Sequence, residues 1–382
     1  MKYLATILLL CCTLPIFAQT IRDTTLYEST NTPKFIFNAI IQQGQTIRHG
    51  EFIYFYKNGN LRQKGQYFYG QPNGQWTLYN RHGIISEVAT FKNGSREGSF
   101  GVYYPDGKIK QEGIKKNGQI EGTLTDYYPN GQIMEKKSFS GGLLDGMAFG
   151  YYENGKKHFE MEYSQGEIMG KYEKYYEDGK PEIITKMIKE KYSGSYKSYH
   201  KNGNIAKDFF YRDGKIDGNY KTFHENGTPA TVCAYLNGEL TGKYEEFHDN
   251  RQLKEISYYD NGQKIKRTKM YYPNGELYIS GKLKNNAYAG KWKIYHPNGQ
   301  LKQVGKYVDG KAEGKWKFYH FEGEYYKVGN YVNDNEEGIW NYYFSNGKPK
   351  IKVEYHEGLV NQILEAFNEE GKPVDPASIK IE

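Results

Sequence analysis

The sequence predicts an all-β protein, an elongated single-layer antiparallel β-meander of about fourteen 24-residue hairpin repeats. Three observations carry that expectation. Glycine recurs at a fixed spacing, aromatic residues recur at fixed offsets from it, and no Ala/Leu/Glu-rich amphipathic stretch follows the first 18 residues. Stepping by 24 residues through Gly323 reaches Gly59, Gly83, Gly107, Gly131, Gly155, Gly179, Gly203, Gly227, Arg251, Gly275, Gly299, Gly347 and Gly371, without an insertion. Such a period is the signature of a repeat architecture and overrides a domain count taken from length. A hairpin turn needs φ > 0, which glycine adopts freely and Asn or Asp at modest cost. The preceding residue is Asn or Asp in eleven repeats, among them Asn58, Asp106, Asn202 and Asn298. Asn-Gly is the strongest short hairpin signal.

The strands follow from the rings. Four residues before the turn glycine every repeat is aromatic, from Phe55 and Tyr79 to Tyr343 and Phe367. Seven before it stand Phe52, Trp76, Phe100, Tyr172, Tyr196, Tyr220, Tyr244, Trp292, Trp316 and Trp340; eight after it stand Tyr67, Phe91, Tyr307 and Tyr331, among others. Offsets of seven and four differ by three, so in a strand those rings face opposite sides of the sheet. A second glycine follows eleven residues after the first (Gly70, Gly94, Gly310) and a third four later (Gly74, Gly98, Gly314). Each repeat therefore reads as strand, tight turn, strand, longer glycine-bounded turn and next strand. Short links make sequence neighbours spatial neighbours. With strands ~4.8 Å apart the array is expected to reach ~130 Å, twisting into a curved ribbon with a groove.

The chain divides into residues 1–18, a cap over 19–49, the array over 50–371 and a tail over 372–382. MKYLATILLLCCTLPIFAQ has a basic Lys2, an apolar run from Leu4 to Leu14, and Ile16-Phe17-Ala18 before Gln19. That is the layout of a secretory signal peptide cut after Ala18. The run is shorter than the ~20 residues of a bilayer span. Cleavage removes Cys11 and Cys12 and leaves Cys233 alone, so no intrachain disulfide can form. It also removes Lys2, leaving 51 basic against 45 acidic side chains, net +6. The signs read as interspersed with no polybasic block, the pattern of a solvated surface rather than of nucleic-acid binding. The strand-like Phe35–Ile41 stretch and the degenerate last repeat with its tail are the expected covers for the two sheet edges.

The run Lys306-Tyr-Val-Asp-Gly-Lys-Ala-Glu-Gly-Lys-Trp-Lys-Phe-Tyr319 resembles the MORN motif, and the Y-x-P-N-G turns Tyr271–Gly275 and Tyr295–Gly299 resemble its bacterial variant. Similar repeats occur in YwqK-type antitoxin-component proteins. The resemblance implies a MORN-like sheet, scaffolding, protein–protein contact and, in some eukaryotic members, association with acidic lipid. An export signal departs from a cytosolic antitoxin. Arg251 and Lys266 depart from the motif where they replace glycines.

No residue set reads as catalytic. His200, His224, His248, His296 and His320 share one repeat slot, three before the turn. Equivalent positions lie ~10 Å apart, too far to share a metal. Tyr56, Tyr104 and Tyr272 fill the same slot elsewhere, so it reads as a place for a flat ring. Glu245 with Glu246 and Glu336 with Glu337 read as solvated faces, and Cys233 as a buried small residue. No G-x-S-x-G elbow, P-loop or H-E-x-x-H occurs. No enzyme, cofactor or metal is expected. The reading is an exported repeat scaffold in the periplasm, at the outer membrane or outside the cell, binding protein through Trp76, Tyr172, Tyr196, Tyr220, Tyr244, Trp292, Trp316 and Trp340. Two alternatives stay open. One is a cell-wall or glycan binder stacking exposed Tyr and Trp on sugars; the other is an antitoxin-like partner of a toxin. Lipid contact enters only through the resemblance.

Overall fold

This computed structural model describes residues 19–28, 31–284 and 287–379; the expected signal peptide and residues 380–382 lie outside them. Among the described residues, alternating ring and polar residues between positive-φ links produce thirty strands with antiparallel pairing. Among the described residues the only helix is the 3-10 turn Pro376–Ser378. Two compact units divide the chain: residues up to 168 with 177–179, and residues 169–176 with 180–382. Within each unit strands pair with their sequence neighbours. Ser95–Tyr103 lies between Ile85–Lys92 and Ile109–Lys116 in the first. Lys311–Tyr319 lies between Leu301–Val308 and Tyr325–Val332 in the second.

The links correct the turn assignment read from the sequence. The 24-spaced glycine closes the longer loop, not the tight turn. Strands Gln45–Phe55 and Leu61–Phe68 are joined by residues 56–60, where the Tyr56 N–H donates to the Asn60 carbonyl (2.8 Å) and the Gly59 N–H to the Tyr56 carbonyl (2.9 Å). Only Gly59 has positive φ there (84°); Asn58 does not. The tight turn is the next one. Asn93-Gly94 (φ 49° and 84°) and Asp309-Gly310 (48° and 87°) are both left-handed, the two-residue type I′ geometry whose twist matches its flanking strands. The third glycine is not a turn. Gly314 (φ 70°) lies inside strand Lys311–Tyr319, where the register against Leu301–Val308 slips between Val304 and Lys306. It is a β-bulge. A glycine period marks where positive φ is required, and spacing alone does not separate a turn from a bulge.

The irregular repeats resolve locally. Lys189-Glu190 adopt the tight turn without glycine (φ 49° and 62°), and Arg251 takes the loop position at φ 70°. Where Lys266 replaces the bulge glycine the strand breaks into Gln263–Lys264 and Arg267–Tyr271, both paired with Leu253–Asp260. Residues 19–49 add strands Thr20–Leu26 and Pro33–Gln42, the latter containing the expected Phe35–Ile41, and close on strand Gln45–Phe55 through the tight turn Gln43-Gly44. At the C-terminal end Phe367 bridges Pro373, and Val374 and Ile379 pack against the buried cluster that contains Trp340, Val353 and Ala366.

Candidate binding surface

One sheet face is a row of rings. Trp316 sits edge-on to Tyr307 (5.1 Å) and Tyr331 (5.8 Å), and Trp340 edge-on to Tyr331 (5.1 Å) and Tyr355 (6.3 Å). Trp76 does the same between Tyr67 and Phe91. This overturns part of the expected binding set. Trp76, Trp292, Trp316 and Trp340 are 2, 5, 3 and 0% exposed and form the core. Each buries on the order of 200 Å², worth ~5 kcal/mol at ~25 cal/mol per Å². A glycan stacking on tryptophan has no free indole here. Tyr172, Tyr196, Tyr220 and Tyr244 are half-buried and continue the row; Tyr196 stacks on Phe209 (4.7 Å), which also meets Tyr220 (4.9 Å). Burial, with neighbouring tyrosines, pushes the Tyr196 phenol up to about 12.

The sequence reading missed what the tryptophans lie on. Each follows a glycine by eleven residues: Gly65, Gly281, Gly305 and Gly329. A Cβ on Gly305 would stand 2.0 Å from Trp316 Cδ2, and one on Gly329 the same distance from Trp340 Cδ2. The indole occupies the space a side chain would need. The signal was present in the sequence, since no tryptophan occurs elsewhere in the chain.

Consecutive repeats are bonded turn to turn. Tyr56 Oη donates to the Tyr79 carbonyl (2.8 Å) and Tyr272 Oη to that of Tyr295 (2.8 Å). In the same slot the Nε2 of His224, His296 and His320 donates to the carbonyls of Phe247, Tyr319 and Tyr343 at 3.0, 3.2 and 3.1 Å. Where the slot holds Tyr or His the ring donates to the next repeat's backbone, which is why these two interchange, while Phe344 fills the slot as a flat ring alone. The turn asparagines form a second series: Asn298 Oδ1 accepts from Gln300 N (3.0 Å) and Nδ2 donates to the Phe321 carbonyl (2.8 Å). Asn202, Asn226, Asn250 and Asn274 repeat it. Asparagine is thus kept for its side chain rather than for positive φ. Each bond contributes ~0.5–1.5 kcal/mol.

The acidic pairs are partly exposed and ion-paired. Glu336 meets Lys327 (2.8 Å) and Glu337 meets His356 (3.0 Å), while Glu245 pairs with Lys243 and Glu246 with Lys254, both at 2.6 Å. Cys233 is buried as its context implies, and burial raises its thiol to about 11. At the broken repeat, Ser257 and Thr268 occupy the glycine and tryptophan slots and bond each other (3.0 Å). Ser257 also donates to Glu255 (2.5 Å), which pairs with Lys264 (2.6 Å). Burial opposes the Lys264 charge, but Glu255 outweighs it and the ammonium pKa is raised.

The other sheet face corrects the charge reading. The five strands Arg267–Tyr271, Leu277–Lys284, Ala287–Tyr295, Leu301–Val308 and Lys311–Tyr319 carry ten lysines and one arginine against a single carboxylate, Glu313. The strands from Tyr325 to Ala366 carry three cations and four acids. Lys291, Lys293, Lys315 and Lys317 alternate with Trp292 and Trp316, so they leave the face opposite the rings. With Lys306, Leu301, Val304 and Tyr319 they line a cavity of about 530 Å³.

Seven segments match the MORN repeat variant: residues 48–68, 96–117, 120–140, 144–165, 192–213, 289–309 and 336–357. Each spans one hairpin across the longer loop. No curated protein matches the chain. Among solved structures it is similar to a crystal structure of TcdB2-TccC3 at a TM-score of 0.17 and 10% identity, covering 93% of this chain and 24% of that one. A second, of TcdB2-TccC3 without its hypervariable C-terminal region, is similar at 0.16 and 10%, covering 88% and 25%. The chain thus spans about a quarter of the length of these solved chains.

Proposed function

We propose that this protein of MORN repeats is an exported, non-enzymatic scaffold that binds another protein in the bacterial envelope. The observation that carries the reading is the turn-to-turn lattice, in which side chains of one repeat bond the backbone of the next. Such a lattice holds strand edges and side-chain rows in fixed register, which suits recognition of a partner over several repeats. The half-buried tyrosines present rigid, amphipathic surface of the kind that anchors interfaces. Export rests on the N-terminal segment, with Lys2, the apolar run to Leu14 and Ala18 before Gln19. The antitoxin alternative rests on resemblance alone, and the glycan alternative loses its tryptophan platform to burial.

Photo-cross-linking of the mature chain in its native envelope, followed by capture, tests the reading. A defined protein retained saturably is the expected result. Retention of none, or turnover of a small molecule lost with a point substitution, would contradict it.

A further inference from the structure

We infer that the lysine face between Arg267 and Tyr319 is the docking site of this scaffold and takes an extended acidic polypeptide segment with carboxylates at alternate positions. The inference rests on the protein-binding reading above. Its starting point is an arrangement that works against the sheet itself. Arg267 lies directly opposite Lys282, and Lys291 directly opposite Lys306. Like charges in direct cross-strand register destabilise a sheet. Elsewhere in the same unit the register pairs opposite signs: Lys197 faces Asp208 (3.8 Å) and Lys352 faces Glu365 (2.9 Å). Among the described residues, Lys291, Lys293, Lys306, Lys315 and Lys317 make no ion pair. Glu313, the one carboxylate on these strands, stands opposite Lys306 in the register but accepts from the Asn333 N–H (3.1 Å). Lys317 donates to Tyr325 Oη (3.1 Å); the ammonium groups of Lys291, Lys293, Lys306 and Lys315 are left to an outside anion.

The geometry selects the anion. Alternate residues of a strand lie ~6.8 Å apart, so Lys291 with Lys293 and Lys315 with Lys317 form two pairs at the pitch of an extended chain. Carboxylates at every second residue of a bound segment meet that pitch. Leu301, Val304 and Tyr319 supply apolar floor beside the charges, which suits aliphatic side-chain stems between carboxylates. The cavity holds lysines and no arginine. It therefore offers single-point contacts rather than the planar fork matched to phosphate.

The test uses the full mature chain and a fluorescent dodecapeptide alternating Glu and Thr, against a block peptide of the same composition. The alternating peptide is expected to bind about tenfold more tightly than the block peptide, with affinity falling as salt shortens the screening length. Lys306→Glu should weaken binding by about tenfold with little net change in Tm, because the carboxylate would face Lys291 on one side and Glu313 on the other. Lys293→Gln with Lys315→Gln should weaken binding with Tm unchanged. Absence of binding, equal binding of both peptides, or insensitivity to Lys306→Glu would overturn the inference. So would tighter, Lys306-dependent binding of heparin or a single-stranded oligonucleotide. The envelope cross-linking separates the two claims. If Lys306→Glu still captures the same partner, the lysine face is refuted and the scaffold stands; if the unsubstituted chain captures none, both fall.

Discussion

Replacing Gly305 with alanine probes the packing unit of the whole array. Gly305 lacks the positive φ of the turn and bulge glycines, so its backbone accepts alanine without strain. The obstacle is space. The added Cβ would stand 2.0 Å from Trp316 Cδ2 and 2.1 Å from Cε2. Ordinary carbon contacts need ~3.5–4.0 Å, so the indole must retreat by roughly 1.5 Å or more. Tyr307, Tyr331 and Phe318 enclose it at 5.1, 5.8 and 6.0 Å between centroids. Overpacking of this kind costs ~1–3 kcal/mol. Complete expulsion of the indole would forfeit ~5 kcal/mol of burial. The expected loss lies between, about 2–4 kcal/mol, less a few tenths gained because alanine restricts the unfolded chain. Hydrogen exchange over strands Leu301–Val308 and Lys311–Tyr319 reads the loss locally, which matters in an array whose repeats can open separately. Adding Trp316→Leu to Gly305→Ala should recover much of the protection relative to the effects of the single changes. The chain performs a related exchange itself, with Ala89 opposite Phe100 and Lys137 opposite Ala148. Unchanged protection in Gly305→Ala, or no coupling with Trp316→Leu, would refute the reasoning.

Other expectations follow from the same contacts. His224→Phe removes the donor to the Phe247 carbonyl and should cost ~1 kcal/mol, whereas His224→Tyr should keep most of the stability, as measured by exchange of strand Lys215–Phe223. Tyr196, Tyr244 and Tyr331, each raised to about 12 chiefly by burial, resist ionisation when folded, while the unfolded chain ionises near 10.0. Their contribution is complete below that value and declines from pH 10.0 towards about 12, so phenolate absorbance should lag in the folded protein and rise on unfolding; ionisation of all tyrosines near pH 10.0 without unfolding would contradict this. Cys233 should resist a thiol reagent at neutral pH in the folded chain and react at once in denaturant. Mass analysis of the exported protein should find its first residue to be Gln19.

The fold was legible because positive φ and ring burial are both written in single residue types at fixed spacing. What spacing could not convey was which irregularity each glycine served. Gly59 closes a loop, Gly70 a two-residue turn and Gly74 a bulge, and all three need the same φ. The His/Tyr slot was recognisable as one position, but its bond to a carbonyl 23 residues ahead depends on the sheet pairing that brings the turns together. Tryptophan by its type suits a binding surface, and type alone does not show burial. Gly65, Gly281, Gly305 and Gly329 eleven residues earlier mark the burial, a pairing that a scan of turn glycines passes over. The basic face was lost to averaging. Net charge over the chain is small, yet the strands from Arg267 to Tyr319 hold almost no acid, and only strand alternation shows those lysines leaving one face.

Each repeat is stabilised by its immediate neighbours through the ring row and turn lattice. Removing one whole period, residues 300–323, tests that most directly. The deletion would bring Trp292 to Gly329 as Trp316 now meets it, and His296 to the Tyr343 carbonyl that His320 now holds. Hydrogen-exchange protection of the remaining strands should persist, whereas removal of only half a period should abolish it from Ala287 onward. Loss of protection throughout in the whole-period deletion, or survival of the half-period one, would contradict the account.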